Sequence, residues 1–327
     1  STKKISMKKT DNIFIAGHKG LVGSSIYKLL KQKGYKKIII IDKKKLDLRN
    51  FKKVQKFFRN KKIDYMIMAA ARAGGIIANS HNQKDFFLDN IDIQNSLLKL
   101  ALEKKIKRTI FLGTSCIYPK HAKTPIGEES LLTGVLEKTN QSYAIAKIAG
   151  IKLCESLYED YKLDIVCLMP TNVYGENDNF DKINGHVIPA IITKILLAKN
   201  KKLKKVKLLG SGKPLREFIH SNDLASAILK CLEINQKYYK KIFKKKLPIM
   251  NVGTRDIISI KNLSKLIAKF FNYKGKIIFD KTSPDGTFKK DLDSSKIYKL
   301  GWSPKINFKD GLMQVIKNRG KKYFNGF

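Results

Sequence analysis

Several things are scarce in this 327-residue chain, and each scarcity removes a class of protein. No apolar run reaches the ~18 residues needed to cross a bilayer, so a membrane-spanning helix is excluded. The N-terminal stretch Ser1–Thr10 is basic but has no apolar core, so it does not read as a signal peptide. The only four cysteines, Cys116, Cys154, Cys167 and Cys231, are widely scattered. They form no CxxC pair and no His/Cys ligand spacing, which argues against a disulfide framework and a zinc site, and no metal is expected. Acidic residues number only 27 against 67 basic ones, yet of those 67 only 7 are arginine. Nucleic-acid readers lean on arginine for bidentate contacts, and here lysine is spread over nearly every segment rather than gathered in a stripe. The net charge of +40 therefore reads as a drift of composition, not as a nucleic-acid site. It can still draw in an anionic substrate. The location expected from these features is the cytoplasm.

What is present is an alternation of strands and helices. Residues 12–16 (NIFIA) read as a buried strand, and Gly17-His-Lys19-Gly20-Leu21-Val22-Gly23 opens a helix directly after it. Strand, glycine turn and helix in that order form the context in which glycines hold a pyrophosphate at a helix N-terminus. Lys37–Ile41 forms a second strand ending at Asp42, with Lys43, Lys44 and Lys45 beyond it. Further strands read at Tyr65–Ala70, Thr109–Gly113 and Asp164–Met169, and helices at 50–60 and 85–104. The stretch between strand and helix at Arg72–Asn79 reads as a loop, as does the basic insert at 237–246, which is expected to be exposed and solvated. Such alternation implies an α/β fold, a Rossmann-type doubly wound parallel sheet with its ligand beyond the carboxyl ends of the strands. From Gly175 onward the alternation loosens, which suggests a smaller C-terminal α/β lobe for substrate. The division expected is 8–175 with 215–256 for the cofactor and 176–214 with 257–327 for the substrate.

The chemistry gathers at Gly113-Thr114-Ser115-Cys116-Ile117-Tyr118-Pro119 and at Tyr143-Ala-Ile-Ala-Lys147. Four residues apart on a helix, Tyr143 and Lys147 share one face. An ammonium beside a phenol should lower its pKa and make Tyr143 a usable proton donor or acceptor. Cys154, Cys167 and Cys231 sit in apolar runs and read as core residues, whereas Cys116 has hydroxyl neighbours.

Together, AGHKGLVG, AARAGGIIAN, TSCIYP, YAIAKIAGIKLCES, MPTNVYG, GHVIPA, PLREFIH and SPDGT resemble the extended short-chain dehydrogenase/reductase family. The resemblance runs from about Ile13 to Trp302. It is greatest to those members that epimerise and reduce GDP-4-keto-6-deoxy-D-mannose with NADPH. It implies that Gly17, Lys19, Gly20, Leu21, Val22, Gly23 and Lys43 meet the cofactor NADPH/NADP+. Leu112, Gly113, Thr114, Ser115, Lys147, Pro170, Thr171, Asn172, Val173 and His186 would meet it too. Tyr143, Lys147 and Thr114 would serve reduction, and Cys116 with His186 would exchange protons with the sugar. Lys194, Leu209, Arg216 and Asp285 would hold the nucleotide sugar, in a homodimer. Asp42 argues for NADH, and the lysines around it argue for NADPH. The chain departs from the family pattern at three points. Thr114 stands for a serine, Leu209 for an aromatic, and Phe288-Lys289-Lys290 for Pro-Arg-Lys. The alternatives are a related enzyme that only reduces or only epimerises another nucleotide sugar, and a cofactor-sensing protein without catalysis. Arg216 has its own alternative, a structural ion pair with Glu217 or Asp223.

Overall fold

A computed structural model of the chain describes residues 7–181, 185–283 and 285–324; Ser1 to Ser6 and Pro284 of the SPDGT motif lie outside the described residues. Strand β1 (Asn12–Ala16) leads into α1 (Leu21–Gln32), and β2 (Lys37–Ile40) into α2 (Phe51–Phe58). After β3 (Tyr65–Met68) come a short α3 (Ile76–His81), the long α4 (Gln83–Glu103) and β4 (Arg108–Leu112). Helix α5 (Gln141–Tyr161) then returns the chain to β5 (Ile165–Pro170). The second half runs β6 (Asn172–Tyr174), α6 (Val187–Asn200), β7 (Lys205–Leu209), β8 (Leu215–His220) and α7 (Ser221–Glu233). It continues through α8 (Gln236–Ile242), β9 (Ile249–Val252), β10 (Ile257–Ser259) and α9 (Ile260–Phe270). The last elements are β11 (Lys276–Asp280), β12 (Lys289–Lys290), α10 (Ser295–Lys299) and α11 (Phe308–Phe324).

Six strands form one sheet in the order β2-β1-β3-β4-β5-β9, every pair parallel. Strands buried on both faces carry mostly apolar side chains, and β3, β4 and β5 are buried throughout, with Arg108, paired to Asp164, and Thr109 as the polar residues of β4. The alternation of side chains divides them between two cores. Phe14, Met66 and Phe111 face one way with Leu97, Ile151 and Cys154, while Ile13, Ile67 and Ile110 face the other with Ile26, Leu224 and Ile228. Helices thus cover both faces, the doubly wound arrangement expected from the alternation. Cys154, Cys167 and Cys231 are free and buried, as their apolar settings implied.

A second sheet sits past the carboxyl ends of the first. In it β8 lies between β10 and β12 over its first residues and pairs with β6 over its last. The chain passes from β5 into β6 through Thr171 alone, so one continuous run joins the two sheets. Thr171 Oγ1 and Asn172 Nδ2 both donate to the Glu217 carbonyl, at 3.1 and 2.9 Å. The fully buried Glu217 carboxylate accepts from the backbone N–H of Thr254, Arg255 and Leu292. This ties β8 to the loop after β9 and to the segment after β12. β7 and β11 form a separate parallel pair.

Two expectations about loops need correction. Within Arg72–Asn79 the residues from Ile76 begin α3, and Asn90 on α4 holds the preceding loop through the N–H and C=O of Arg72, at 3.1 and 3.0 Å. The basic insert is not a solvated loop: Gln236–Ile242 is helical, and Tyr239 is 2% exposed. The Tyr239 hydroxyl donates to the Cys231 carbonyl, and its ring lies 4.9 Å from the Arg108 guanidinium. Tyr239, with the Phe243 ring beside it, docks a helix whose Lys237 and Lys241 stay in water.

Candidate active site

At the carboxyl end of β1 the turn is built around the absence of side chains. Gly17 has φ +87°, and a Cβ on it would lie 2.6 Å from the Ala70 nitrogen. A Cβ on Gly23 would lie 2.0 Å from the Gly17 oxygen. Gly20 caps α1 with no side chain of its own to claim the first amides of the helix, at Leu21 and Val22. An anion fits such a cradle, because amide donors and the positive end of the helix dipole converge on it. Beside it Lys19 pairs with Asp42 at 2.9 Å, and His18 Nε2 lies 3.3 Å from the same carboxylate oxygen. The Lys19 hydrogen bond holds the Asp42 carboxyl below its ordinary range. Lys43, Lys44 and Lys45 are exposed just beyond.

At the end of β4 the chain turns into a short 3-10 segment, Ser115–Ile117, capped by Thr114, whose Oγ1 accepts from the Cys116 N–H at 3.2 Å. The turn brings Thr114 within hydrogen-bonding reach of Tyr143. Gly113 is fitted against β5, where a Cβ would lie 2.2 Å from the Met169 sulfur. Ser115 is buried. Lys147 Nζ donates to the Leu112 carbonyl at 2.9 Å and lies 5.2 Å from the centre of the Phe111 ring. Burial brings this ammonium down to about 8. Tyr143 differs from the sequence expectation: burial pushes its phenol above the ordinary value, and only the Thr114 hydrogen bond pulls the other way. Desolvation dominates at this phenol, while the Lys147 ammonium spends its hydrogen bond on the main-chain carbonyl of Leu112. A phenol that keeps its proton at neutral pH is the form an acid needs.

Cys116 is where the distant segments meet. Asn140 Nδ2 and Lys290 Nζ each donate to its sulfur, at 3.4 Å. Lys290 is the register partner of Arg216 across β12 and β8, so both cations project from the same face of that sheet. The Arg216 guanidinium donates to the carbonyls of Leu215 (2.8 Å) and Asp285 (3.3 Å). It pairs with neither Glu217 nor Asp223. Glu217 holds the three amides named above, and Asp223 holds the N–H groups of Lys305 and Ile306. Asp285 is taken up as well, accepting from Ser211 N–H and Oγ at 2.6 Å each, so it clamps the Gly-Ser-Gly loop. Lys194 is half-buried on α6, and burial lowers its pKa; Leu209 ends β7 with 44% of its surface exposed. Of the β5–β6 residues named from sequence, Pro170 is in the strand, Thr171 and Asn172 serve the bridge to β8, and Val173 packs on the second core. His186 caps α6, with Nδ1 3.0 Å from Asp178 Oδ1. Sequence reasoning missed Asn140, Lys290 and Asp178. A signal existed for one of them: of the family's Pro-Arg-Lys, only the lysine, Lys290, is kept.

The chain belongs to the NAD dependent epimerase/dehydratase family, whose model matches residues 13–253. It is 44% identical over 311 residues to the putative GDP-L-fucose synthase 2 of Arabidopsis thaliana, covering 95% of this chain and 92% of that one. To the GDP-L-fucose synthase of Escherichia coli K12 it is 42% identical, over 93% of this chain and 95% of the other. Among solved structures it resembles the GDP-mannoheptose C4 reductase of Campylobacter jejuni with NADP bound. That match has a TM-score of 0.86 at 33% identity and covers 96% of this chain and 99% of that one.

Proposed function

We propose that the protein is an NADPH-dependent enzyme that converts GDP-4-keto-6-deoxy-D-mannose to GDP-L-fucose, inverting C3 and C5 and then reducing C4. The carrying observation is the thiol of Cys116 beside the Thr114–Tyr143 pair, with Asn140 and Lys290 on its sulfur. A ketone reductase needs a phenol and a hydroxyl but no base for carbon. The fit of the glycine turn to a pyrophosphate and the names of the relatives support the same reading.

A ketone at C4 acidifies the protons on C3 and C5. Cys116 takes a proton from carbon, with the Lys290 ammonium beside the sulfur as negative charge develops there. Thr114 and Tyr143 donate to the oxygen of the enediolate, which needs donors already aimed at it. His186 returns a proton from the opposite face, so the centre inverts. NADPH, when bound at Gly17–Gly23, supplies the hydride that reduces C4. Tyr143 gives its proton to the C4 oxygen, while Lys147 anchors the helix face against Leu112. Arg216, whose bonds go only to carbonyls among the described residues, grips the diphosphate together with Lys194. In this reading residues 8–175 and 215–256 bind the cofactor, 176–214 and 257–327 bind the sugar nucleotide, and the enzyme works in the cytoplasm as a homodimer.

A second reading, a C4 reductase for another GDP-linked sugar, is favoured by exposed Leu209 where an aromatic was expected and by the likeness to the mannoheptose reductase. One experiment separates the two. The protein is incubated in D2O with GDP-4-keto-6-deoxy-D-mannose, first without and then with NADPH, and the sugar is followed by NMR. Deuterium at C3 and C5, then GDP-L-fucose, is the expected result. Reduction of the ketone with no exchange would leave only the reductase.

A further inference from the structure

We propose that Asp178 is the positioning residue for His186: it binds the ring at Nδ1, holds the imidazolium form, and leaves Nε2 to deliver the proton to carbon. The inference rests on the reading of His186 as the acid and adds the group that makes it one. Asp178 and the ring are 3.0 Å apart, and they are buried very unequally: the carboxylate side chain is 2% exposed and the imidazole 39%. One edge of the ring is therefore held from inside while the rest remains reachable by substrate and by water that restores the proton.

His186 stands at a place that disfavours a cation. It is the cap residue of α6, next to the positive end of the helix dipole, and it is partly desolvated. Its side chain makes no capping hydrogen bond, so the ring is not spent on the helix. Despite burial, His186 titrates above its ordinary value because Asp178 hydrogen-bonds and attracts the charged ring. The carboxylate in turn has use for that charge. Among the described residues its Oδ1 accepts only from Asn179 N–H and the ring, and Oδ2 is buried without a partner. A buried carboxylate so thinly supplied is costly unless a cation stands beside it. Other charges line the recess beside Asp178: Lys19, Glu176 and Arg319. Each has an occupation elsewhere. Lys19 pairs with Asp42, Glu176 accepts from Gln314 and Asn318, and Arg319 lies 4.8 Å over the Phe180 ring. A carboxylate–imidazole pair of this kind fixes both tautomer and orientation.

The chain has five histidines, so the imidazole titration can be read directly on 15N-labelled protein, with His186 identified by the signal lost in His186→Gln. Wild-type His186 should titrate above the unperturbed value of ~6.5. Asp178→Asn keeps an acceptor but removes the charge, and should lower the midpoint by about one unit; Asp178→Glu should restore it. The alkaline limb of deuterium exchange into the keto sugar should move down by the same amount in Asp178→Asn, with KM altered less than about twofold. A turn-supporting aspartate would move melting temperature but neither midpoint nor limb. A wild-type midpoint at or below ~6.5, or an Asp178→Asn midpoint equal to wild type, overturns the pairing, and the first measurement stands even if the variant does not fold. If wild-type protein exchanges no deuterium, the reaction is wrong, and the titration alone still decides the pair.

Discussion

The two ends of the crevice are made of different materials. At Gly17–Gly23 the main chain alone defines the surface, and the side chains that matter are the ones left out. At Cys116 the surface is a meeting of side chains from residues 116, 140, 216 and 290, joined by contacts of 3.4 Å or by strand register. The first end is rigid because backbone touches backbone and nothing can rotate away. The second is adjustable, since each contact is carried by a rotamer. Mutations at the first should break folding and cofactor binding together, and mutations at the second should change chemistry while the fold persists.

The largest effect should come from Gly23→Ala. Its Cβ would lie 2.0 Å from the Gly17 oxygen, a main-chain atom fixed at the start of α1, so the turn must open. We expect a loss of about 3 kcal/mol or more and no measurable NADPH binding, read by thermal melts and cofactor fluorescence. Gly20→Ala is the control, because its Cβ meets only the Gly17 oxygen at 3.4 Å. Similar losses in the two variants would mean that glycine at this turn serves helix entry in general, not a steric fit.

Cys116→Ser should do the reverse. Size is nearly kept, but a hydroxyl is much harder to ionise than a thiol. Deuterium exchange at C3 and C5 should fall by about a hundredfold or more, with melting temperature and NADPH affinity unchanged. An equal fall in cofactor affinity would erase the contrast between the two ends.

Lys147 links the ends and gives a pH signature. Burial holds its folded pKa at about 8, below the ordinary 10.5. Between those values the unfolded chain binds a proton that the folded protein does not, so stability rises with pH across that window. Relative to Lys147→Met, the wild type should gain about 2 kcal/mol between roughly pH 7.5 and 9.5, measured by denaturant melts without cofactor. A constant difference across that range would mean that Lys147 keeps an ordinary pKa in the fold.

Arg216→Lys should raise KM for the nucleotide sugar about tenfold and lower kcat less, since a lysine cannot copy a planar fork. Steady-state kinetics decide it. An unchanged KM would make Arg216 a brace for β8 and the Asp285 carbonyl.

Legibility followed the same division. The order of strand, glycine turn and helix, and the spacing of Tyr143 and Lys147, are local, and periodicity carries them. The bridging of β5 to β8 through Thr171 and Asn172 is not local, and these two residues looked like cofactor contacts while their side chains hold the Glu217 carbonyl. Asp178 was overlooked because its partner, His186, stands eight residues further along the chain. Asn140 was invisible because no pattern in a sequence says that residue 140 meets residue 116, and for Lys290 the retained family lysine was the one signal. The helix at 236–242 was hidden by its lysines, although Tyr239 and Phe243 were there to anchor it.

The smallest effect should come at the rim, where the two materials mix. Asp42 ends the second strand, a position from which a carboxylate favours the ribose hydroxyls of NADH and repels a 2′-phosphate. Lys19 lies 2.9 Å from it and His18 3.3 Å, so the carboxylate is held by a cation on the glycine turn itself. Lys19→Ala removes that cation and leaves Asp42 with His18. The preference for NADPH over NADH should then fall by about threefold to tenfold, since a pair exposed to water is weak. The comparison is of kcat/KM for both cofactors in wild type, Lys19→Ala and Lys19→Ala/Asp42→Asn. If Lys19 acts by restraining Asp42, the double variant should regain most of the lost preference. If Lys19 instead meets the phosphate directly, the double variant should remain as poor with NADPH as the single one.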